Sequence, residues 1–249
     1  MITAILSALA EEQQGLLARL QQPQKISHAG RDFWQGVLHG QPVVLALSRI
    51  GKVAAATTAT ALIERFKVSR IVFTGVAGGL AAGVHVGDVV VATEFLQHDL
   101  DASPIFPRFE VPLYGQTRFR CDEALTALLF EASRAGLAGP AHETGVCSAA
   151  SVHRGLIASG DRFVSGRVES QALSAALMGG GHEVLAVEME GAAVAQVCFD
   201  YGVPFAAART ISDRADDQAH VDFPVFVKNV ASLYAQAMVH HLLRLLQKQ

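Results

Sequence analysis

The sequence predicts an α/β fold, because short apolar runs typical of buried strands alternate along the chain with longer helical segments. Of the 249 residues, 51% are hydrophobic and only 17% are charged, so a large core can form. Several strand-like runs end in acidic or basic residues, and in open α/β sheets ligands bind beyond the carboxyl ends of the strands. We therefore expect one domain over residues 1–249, with its functional site at that edge.

The first half of the chain contains five predicted strands and two predicted helices. Short apolar runs bounded by turn-forming residues indicate strands, and apolar residues at helical spacing indicate helices. The strands are predicted at residues 2–9, on both sides of a hairpin over 33–47 that turns at 39–42, at 70–74 and at 89–93. The helices are predicted at 11–20 and 53–66. A glycine-rich turn at 75–80 and an irregular, proline-containing segment at 97–114 connect these elements.

The second half follows the same pattern. Strands are predicted at residues 143–150, 184–188 and 204–211, and helices at 122–135, 166–178, after 190 and at 226–246. Residues 158–164 mix turn formers with an aromatic residue, and Phe163 there is either ordinary core or a ring able to stack on a flat heterocycle. The chain shows no linker or internal repeat, which supports a single domain.

Composition excludes several classes of function. A net charge of −3 without a basic cluster gives no attraction to nucleic acid or to an anionic membrane. Cys121, Cys147 and Cys198 are far apart and form no CxxC, so neither a disulfide framework nor a zinc site is indicated. The N-terminal apolar run lacks the basic start of a signal peptide and is too short to cross a bilayer. We expect a cytoplasmic protein with a small-molecule ligand.

Two glutamates stand at the junction between the strand at 184–188 and the following helix. Glu188 and Glu190 lie in an apolar run, and a buried charge needs a partner or a polar ligand. Alternatively, the junction is exposed and Glu190 is only an acid in the first turn of a helix. The residues by themselves leave both interpretations open.

Other polar residues follow strands elsewhere in the chain. Glu11 and Glu12 follow the first strand, although acids are also common at helix N-termini. Asp213 follows the last strand, and Arg209 within that strand requires a carboxylate or a ligand as partner. These positions bring acidic groups from distant parts of the sequence to one edge of the predicted sheet.

The remaining motifs argue against a nucleotide cofactor and against a metal. The glycine-rich turn is neither a GxGxxG nor a Walker motif. His98, Asp99 and Asp101 resemble metal ligands but have no partner motif elsewhere in the chain. Lys52, at the start of a predicted helix, is either solvated or near a ligand. We expect no cofactor and no metal.

Taken in order, six motifs resemble the nucleoside phosphorylase/hydrolase superfamily, and most closely the 5'-methylthioadenosine/S-adenosylhomocysteine nucleosidase family. The resemblance covers essentially the whole chain and depends on residues 8–12, 50–53, 74–80, 159–163, 187–190 and 209–213. It implies a purine nucleoside phosphorylase-like, three-layer α/β/α sandwich around a twisted, mostly parallel mixed sheet. It also implies a homodimer whose pocket is partly closed by the neighbouring subunit.

The resemblance implies hydrolysis of the N-glycosidic bond of a 5'-modified adenine nucleoside, through an oxocarbenium-like transition state. Asp213 would protonate adenine N7, which requires a raised pKa, and Glu12 would activate water. Glu190 would bind the ribose hydroxyls and stabilise the developing positive charge. The resemblance further implies a set of substrate-binding residues: Ile50, Val76, Ala77, Gly78, Phe163, Val164, Glu188, Met189, Arg209, Ser212 and Phe223.

Two positions depart from the family pattern. Val76 stands where many relatives have a small hydroxyl residue, and Arg49 where many have glycine. Segment 99–114 also differs, so the sequence leaves open whether the 5' substituent is methylthio, homocysteinyl or deoxy.

Three other functions compete with this prediction. A phosphorylase of the same fold would need arginines around phosphate, whereas the acid Glu12 would repel an anion. A futalosine-type nucleoside hydrolase would keep all three acids and differ at the 5' pocket. A non-catalytic nucleoside-binding protein would have no need of Asp213 and Glu12 together.

Overall fold

A ten-stranded mixed sheet forms the centre of the protein in a computed structural model that describes residues 1–138, 150–216, 219 and 226–248. The strands are β1 (Thr3–Ser7), β2 (Gln21–His28), β3 (Arg31–Leu38), β4 (Gln41–Leu47), β5 (Arg70–Gly79), β6 (Val89–Gln97), β7 (Arg118–Arg120), β8 (Val152–Ser159), β9 (Val184–Glu188) and β10 (Phe205–Asp213).

Six α-helices cover this sheet in the described part of the chain. They are α1 (Ala10–Leu17), α2 (Lys52–Glu64), α3 (Glu123–Leu137), α4 (Arg167–Gly179), α5 (Gly191–Tyr201) and α6 (Ser232–Leu246), the last preceded by a π-helical turn over Val227–Ala231. Asp122 caps α3, since its carboxylate accepts a hydrogen bond from the backbone N–H of Leu125 at 2.8 Å. None of these helices has both the length and the apolar character needed to cross a membrane.

The strand pairings combine a closed ring with an open extension. Strands β5, β10, β6, β8 and β9 pair in turn and close on β5, while β1, β4, β3 and β2 extend the sheet outward from β5. Five of the ten strand pairs are parallel and five are antiparallel. The predicted α/β sandwich with a mixed sheet is confirmed, but antiparallel pairs form a larger share than "mostly parallel" implies.

Both faces of the central strands are buried. Along β5, Ile71 and Phe73 belong to the apolar cluster shared with α2 and α5, whereas Val72 belongs to the cluster shared with α3 and α6. All nine residues of β10 are buried. Because neighbouring side chains of a strand point to opposite faces, the alternation places helices on both sides of the sheet.

Most predicted elements are present, with several corrections. The strand predicted to end at Thr74 continues to Gly79, because the glycine-rich residues pair with β10 and, through Gly78 and Gly79, with β9. Strands β2, β7 and β8 were not predicted; β2 is polar and mostly exposed, so it lacks an apolar pattern, and β7 has only three residues. The strand predicted at 143–150 lies outside the described residues except for Ala150.

The topology brings the ends of several strands together. Strands β1, β5 and β10 run parallel and adjacent, and β9 meets the end of β5. Residues at or just beyond the ends of these strands, among them Glu12, Glu190 and Asp213, therefore come from distant parts of the sequence to one edge of the sheet, as ligand sites of α/β proteins do.

One glycine fixes how closely α5 packs on the sheet. A Cβ at Gly191 would lie 2.2 Å from the ring of the fully buried Phe95. We expect Gly191→Ala to lower the free energy of unfolding by about 1–3 kcal/mol, since overpacking displaces the ring or the helix. Urea denaturation measures this loss.

The matched control is Gly179→Ala at the end of α4, where a Cβ meets nothing within 4 Å. This variant should keep the stability of the parent protein or exceed it slightly. An equal loss in both variants would contradict the packing explanation.

Candidate active site

A cavity of about 420 Å³ opens at this edge of the sheet. Its lining comprises Ala8, Leu9, Glu12, Ile50, Gly75, Val76, Ala77, Gly78, Phe163, Val187, Glu188, Met189, Glu190, Arg209, Ser212 and Asp213. All the predicted site residues except Val164 and Phe223 are therefore brought together. A concave, mostly apolar cavity with a few convergent polar groups is typical of a small-molecule site.

Two of the lining residues, Arg209 on β10 and Glu188 at the end of β9, form a buried ion pair. Glu188 Oε2 accepts hydrogen bonds from Arg209 Nη2 at 2.7 Å and from Nε at 3.2 Å. The side chains are 1% and 2% exposed. The guanidinium also lies over the ring of Phe73, 3.9 Å from its centroid. This pair supplies the partner that an arginine inside a buried strand requires.

Glu188 is held from the other side by the start of α5. Both of its carboxylate oxygens accept from the backbone N–H of Gly191 at 2.9 Å, and Oε2 also accepts from that of Glu190 at 3.2 Å. The hydroxyl of Ser159, at the end of β8, donates to Oε1 and accepts from the N–H of Ala192. Glu188 is thus saturated with donors and links β10, β8 and the start of α5.

Glu190 has a different environment, although it is only two residues away. Its Oε1 accepts one hydrogen bond, from the N–H of Gly51 at 3.0 Å, and the residue is 5% exposed. Burial and the neighbouring Glu188 raise the pKa of Glu190 to about 8, against the opposing effect of Arg209. The two glutamates are therefore distinct: Glu188 is paired, and Glu190 faces the cavity as a carboxyl that takes up a proton readily.

Glu12 reaches the cavity from the first turn of α1. Its Oε2 accepts from the N–H groups of Ala8 at 2.8 Å and Leu9 at 2.9 Å, and Oε1 accepts from that of Val76 at 3.2 Å. The residue is fully buried, and burial raises its pKa despite these hydrogen bonds and the charge of Arg209. Glu12 is thus held rigidly by backbone donors, not solvated as a first-turn acid would be.

Asp213 completes the set of acids at the end of β10. Its Oδ2 accepts from the hydroxyl of Ser212 at 2.8 Å, and Oδ1 accepts from the N–H of Ala215 at 2.8 Å. The residue is 1% exposed. Three carboxyl groups from separate segments therefore surround one cavity, an arrangement able to move protons to and from a bound molecule.

Two glycines let the backbone come close to these acids. A Cβ at Gly75 would lie 3.2 Å from Glu12 Oε1, and one at Gly78 would lie 3.0 Å from Asp213 Oδ1. The glycine-rich stretch therefore allows its backbone to lie close to the acids, although it forms a strand and not the predicted turn.

The remaining predicted residues occupy different positions. Phe163 and Ile50 line the cavity and are 42% and 57% exposed, which places both side chains at its opening to solvent. Val164 is 5% exposed and packs with Val187 and Ala215, so its side chain is core; the role predicted for its backbone stays a prediction. Phe223 lies outside the described residues.

Some contributions escaped the sequence argument. The N–H of Gly51 binds Glu190, and Ser159 orients Glu188, yet neither glycine nor serine carries a distinctive signal in a single sequence. Among the described residues no group of three histidine, cysteine, aspartate or glutamate side chains is arranged to hold a metal. Of the three ligands considered in sequence, Asp99 binds Lys52 and Asp101 binds Ser103.

Comparison with known proteins identifies the family to which this chain belongs. Residues 3–246 match the family model described as the phosphorylase superfamily. A curated 5'-methylthioadenosine/S-adenosylhomocysteine nucleosidase of Bacillus thuringiensis (strain Al Hakam) is 39% identical over 235 residues, which is 92% of each chain. The chain belongs to this nucleosidase family of the phosphorylase superfamily. The resemblance inferred from the six motifs is confirmed.

Solved structures of the superfamily share the fold over nearly their whole length. The Neisseria meningitidis nucleosidase of the same name, in complex with methylthio-immucillin-A, is 35% identical and superposes with a TM-score of 0.86 over 98% of each chain. A futalosine hydrolase mutant of Helicobacter pylori strain 26695 is 32% identical, with a TM-score of 0.84 over 98% of this chain and 99% of the other. The fold prediction is thereby confirmed.

The buried ion pair predicts a large effect of one isosteric substitution. Glu188→Gln leaves Arg209 buried without its counter-charge, so we expect the free energy of unfolding to fall by about 3–5 kcal/mol. Urea denaturation at pH 7 measures it, and a loss below about 1 kcal/mol would contradict the central role of the pair.

The matched control is Glu190→Gln, which removes a carboxyl that burial favours in its neutral form. The pKa of Glu190 is higher in the folded protein than in the unfolded chain. Its contribution to stability is therefore fully present below the unfolded pKa and is lost as pH rises towards about 8. The stability of Glu190→Gln relative to the parent should therefore increase between about pH 5 and pH 8.

Proposed function

We propose that this protein hydrolyses the N-glycosidic bond of 5'-modified adenine nucleosides, releasing adenine and the 5'-substituted ribose. The observation that carries the proposal is the convergence of Glu12, Glu190 and Asp213 on one cavity, in a chain that belongs to a nucleosidase family. The substrate class is that of the curated relatives, which are named for 5'-methylthioadenosine and S-adenosylhomocysteine. 5'-Deoxyadenosine belongs to the same chemical class.

The proposed reaction breaks the bond between ribose C1' and the adenine nitrogen, while water supplies the new oxygen at C1'. Asp213 donates a proton to adenine N7, so that the base leaves neutral. Glu12 accepts a proton from the attacking water and orients it. Glu190 binds the ribose hydroxyls as an anion and stabilises the positive charge that develops on the sugar. Glu190 must therefore be ionised when the substrate is bound.

The other lining residues bind the substrate in this proposal. Phe163 stacks on adenine, the backbone of Val164 contacts the adenine edge, and Met189 packs against the ribose. Ile50 and Val76 contact the 5' side, and Phe223 covers the cavity. Glu188, Arg209 and Ser212 orient the acids, and Ala77 and Gly78 supply close backbone contact.

A phosphorylase is disfavoured by the charges around the cavity. Arg209 is the one cationic side chain among the described lining residues, and Glu188 already neutralises it. Glu12 stands where an anionic nucleophile would otherwise enter, and like charges repel in a buried site. Water, which is neutral, suits this environment.

A futalosine-type nucleoside is a second candidate substrate, because a futalosine hydrolase structure is as similar in fold as the nucleosidases. A hydrolase for such a nucleoside would keep all three acids and differ around the 5' substituent, which would lie near Ile50 in this proposal. Comparing turnover of the two substrate types decides between them.

We also propose a homodimer of single-domain, cytoplasmic subunits that act in methionine salvage. Large apolar side chains are exposed on the described surface, including Ile50 (57%) at the cavity, Val53 (79%) and Leu113 (91%), as a subunit interface requires. The buried free thiols of Cys121 and Cys198 suit a reducing compartment. Sedimentation measures the subunit number.

The function is tested by incubating purified protein with 5'-methylthioadenosine in phosphate-free buffer and following adenine release. We expect turnover that is unchanged by added phosphate, because water is the nucleophile. Dependence on phosphate would identify a phosphorylase. Absence of turnover of any adenine nucleoside would identify a binding protein instead.

Asp213→Asn should lower turnover by roughly 10²-fold or more, since an amide cannot donate the acidic proton to N7. Asp32→Asn is the control; this aspartate pairs with Lys25 at 2.8 Å on β2 and β3 and takes no part in the cavity. Adenine release measures both variants. Turnover of Asp213→Asn equal to that of Asp32→Asn would remove Asp213 from its role.

A further inference from the structure

A charged cluster lies at the start of α2, next to the cavity. We call Lys52, Asp99 and Asp161 the Lys52 cluster. Lys52 Nζ donates to Asp99 Oδ1 at 2.5 Å and to Gln97 Oε1 at 3.0 Å, and the side chains of Lys52 and Asp99 are only 16% and 30% exposed. From its position in the sequence, Lys52 is either solvated or near a ligand; in the structure its partner is the carboxylate of Asp99.

Asp161 caps α2 from a distant part of the chain. The helix begins at Lys52 after Gly51, which has no side chain to act as a cap. The backbone N–H of Lys52 instead donates to Asp161 Oδ1 at 2.7 Å, across 109 residues of sequence. Gly51 has a φ of +95°, and a Cβ there would lie 3.1 Å from Asp161 Oδ1, so glycine is required for this approach.

Asp99 joins the two other members of the cluster. Its Oδ2 accepts from the backbone N–H of Asp161 at 2.8 Å, while Oδ1 accepts from Lys52. Burial opposes the charge, but these hydrogen bonds hold the pKa of Asp99 below its ordinary value. The carboxylate is therefore charged at neutral pH and links the end of β6, the 161–164 loop and the start of α2.

Two of the linked segments, the start of α2 and the 161–164 loop, carry parts of the candidate site. Gly51, adjacent to Lys52, donates its N–H to Glu190 Oε1 at 3.0 Å. Ile50 lines the cavity just before it, and Phe163 lines the cavity two residues after Asp161. A displacement of the Lys52 cluster would therefore shift two groups at once: the N–H of Gly51, which donates to Glu190, and the ring of Phe163.

We propose that Asp161 and Asp99 are positioning residues that act through Lys52, holding the N–H of Gly51 against Glu190 and the Phe163 loop against the cavity. This inference rests on the proposed nucleoside hydrolysis. It assigns a function to charged residues that touch none of the reacting atoms.

The test compares Asp161→Ala with Asp161→Asn, because asparagine keeps an oxygen able to cap the helix and alanine does not. We expect Asp161→Ala to lower kcat/KM for 5'-methylthioadenosine about tenfold or more, and Asp161→Asn to restore most of it. The control is Glu64→Gln, which breaks the exposed pair with Lys67 beyond the other end of α2.

A pH profile separates positioning from general destabilisation. Glu190 is surrounded by Glu188, Arg209, Glu12 and the N–H of Gly51, and of these only the Gly51 N–H depends on the Lys52 cluster. Losing this donor makes ionisation of Glu190 harder, so the acidic limb of kcat/KM should move to higher pH by about one unit in Asp161→Ala. The limb should not move in Asp161→Asn or in Glu64→Gln.

The outcomes are distinct. If the wild-type protein turns over substrate and Asp161→Ala has the same kcat/KM and the same acidic limb, this inference is overturned, while the proposed function stands. An equal loss in Asp161→Asn and Asp161→Ala would also overturn it. Wild-type protein without turnover would overturn the proposed function and this inference with it. If circular dichroism shows Asp161→Ala unfolded, Asp99→Asn decides: a shift of the limb in the same direction supports positioning, and a wild-type limb refutes it.

Discussion

The buried ion pair between Arg209 and Glu188 is the interaction on which the rest of the site depends. Burying two charges is costly, and the cost is offset here because nearly every polar atom has a partner: two guanidinium bonds, the N–H groups that begin α5 and the hydroxyl of Ser159. The pair joins β10 to β9 and fixes the start of α5, so the segments that carry Asp213 and Glu190 have one relative position.

The same pair sets the electrostatics of the cavity. Arg209 is neutralised by Glu188, so its charge only partly offsets the burial of Glu12 and Glu190, and the pKa values of both acids are raised. An unpaired arginine would instead favour their ionised forms and would attract anions. The cavity is therefore suited to a neutral nucleoside on which positive charge develops, and it is poorly suited to inorganic phosphate.

Rigidity around the acids has a second origin in backbone donors. Glu12 is held by three N–H groups, and Glu190 by one that the Lys52 cluster keeps in place. The cavity wall at Ile50 is different, since this side chain is more than half exposed to solvent. Rigid acids beside an open cavity wall agree with the proposed substrates, whose 5' substituents range from methylthio to homocysteinyl in the curated relatives' names.

The sequence was sufficient to predict the class of fold, most of the strands and helices, and the acids that meet at the cavity, because apolar periodicity and charged residues at strand ends are local signals. It failed for β2, whose residues are polar, and for the glycines at 75–79, which look like a turn but pair as strand. Only the tertiary structure separated Glu188 from Glu190. Glu188 pairs with Arg209, whereas Glu190 accepts from the N–H of Gly51. Both partners are set by packing between segments far apart in the chain.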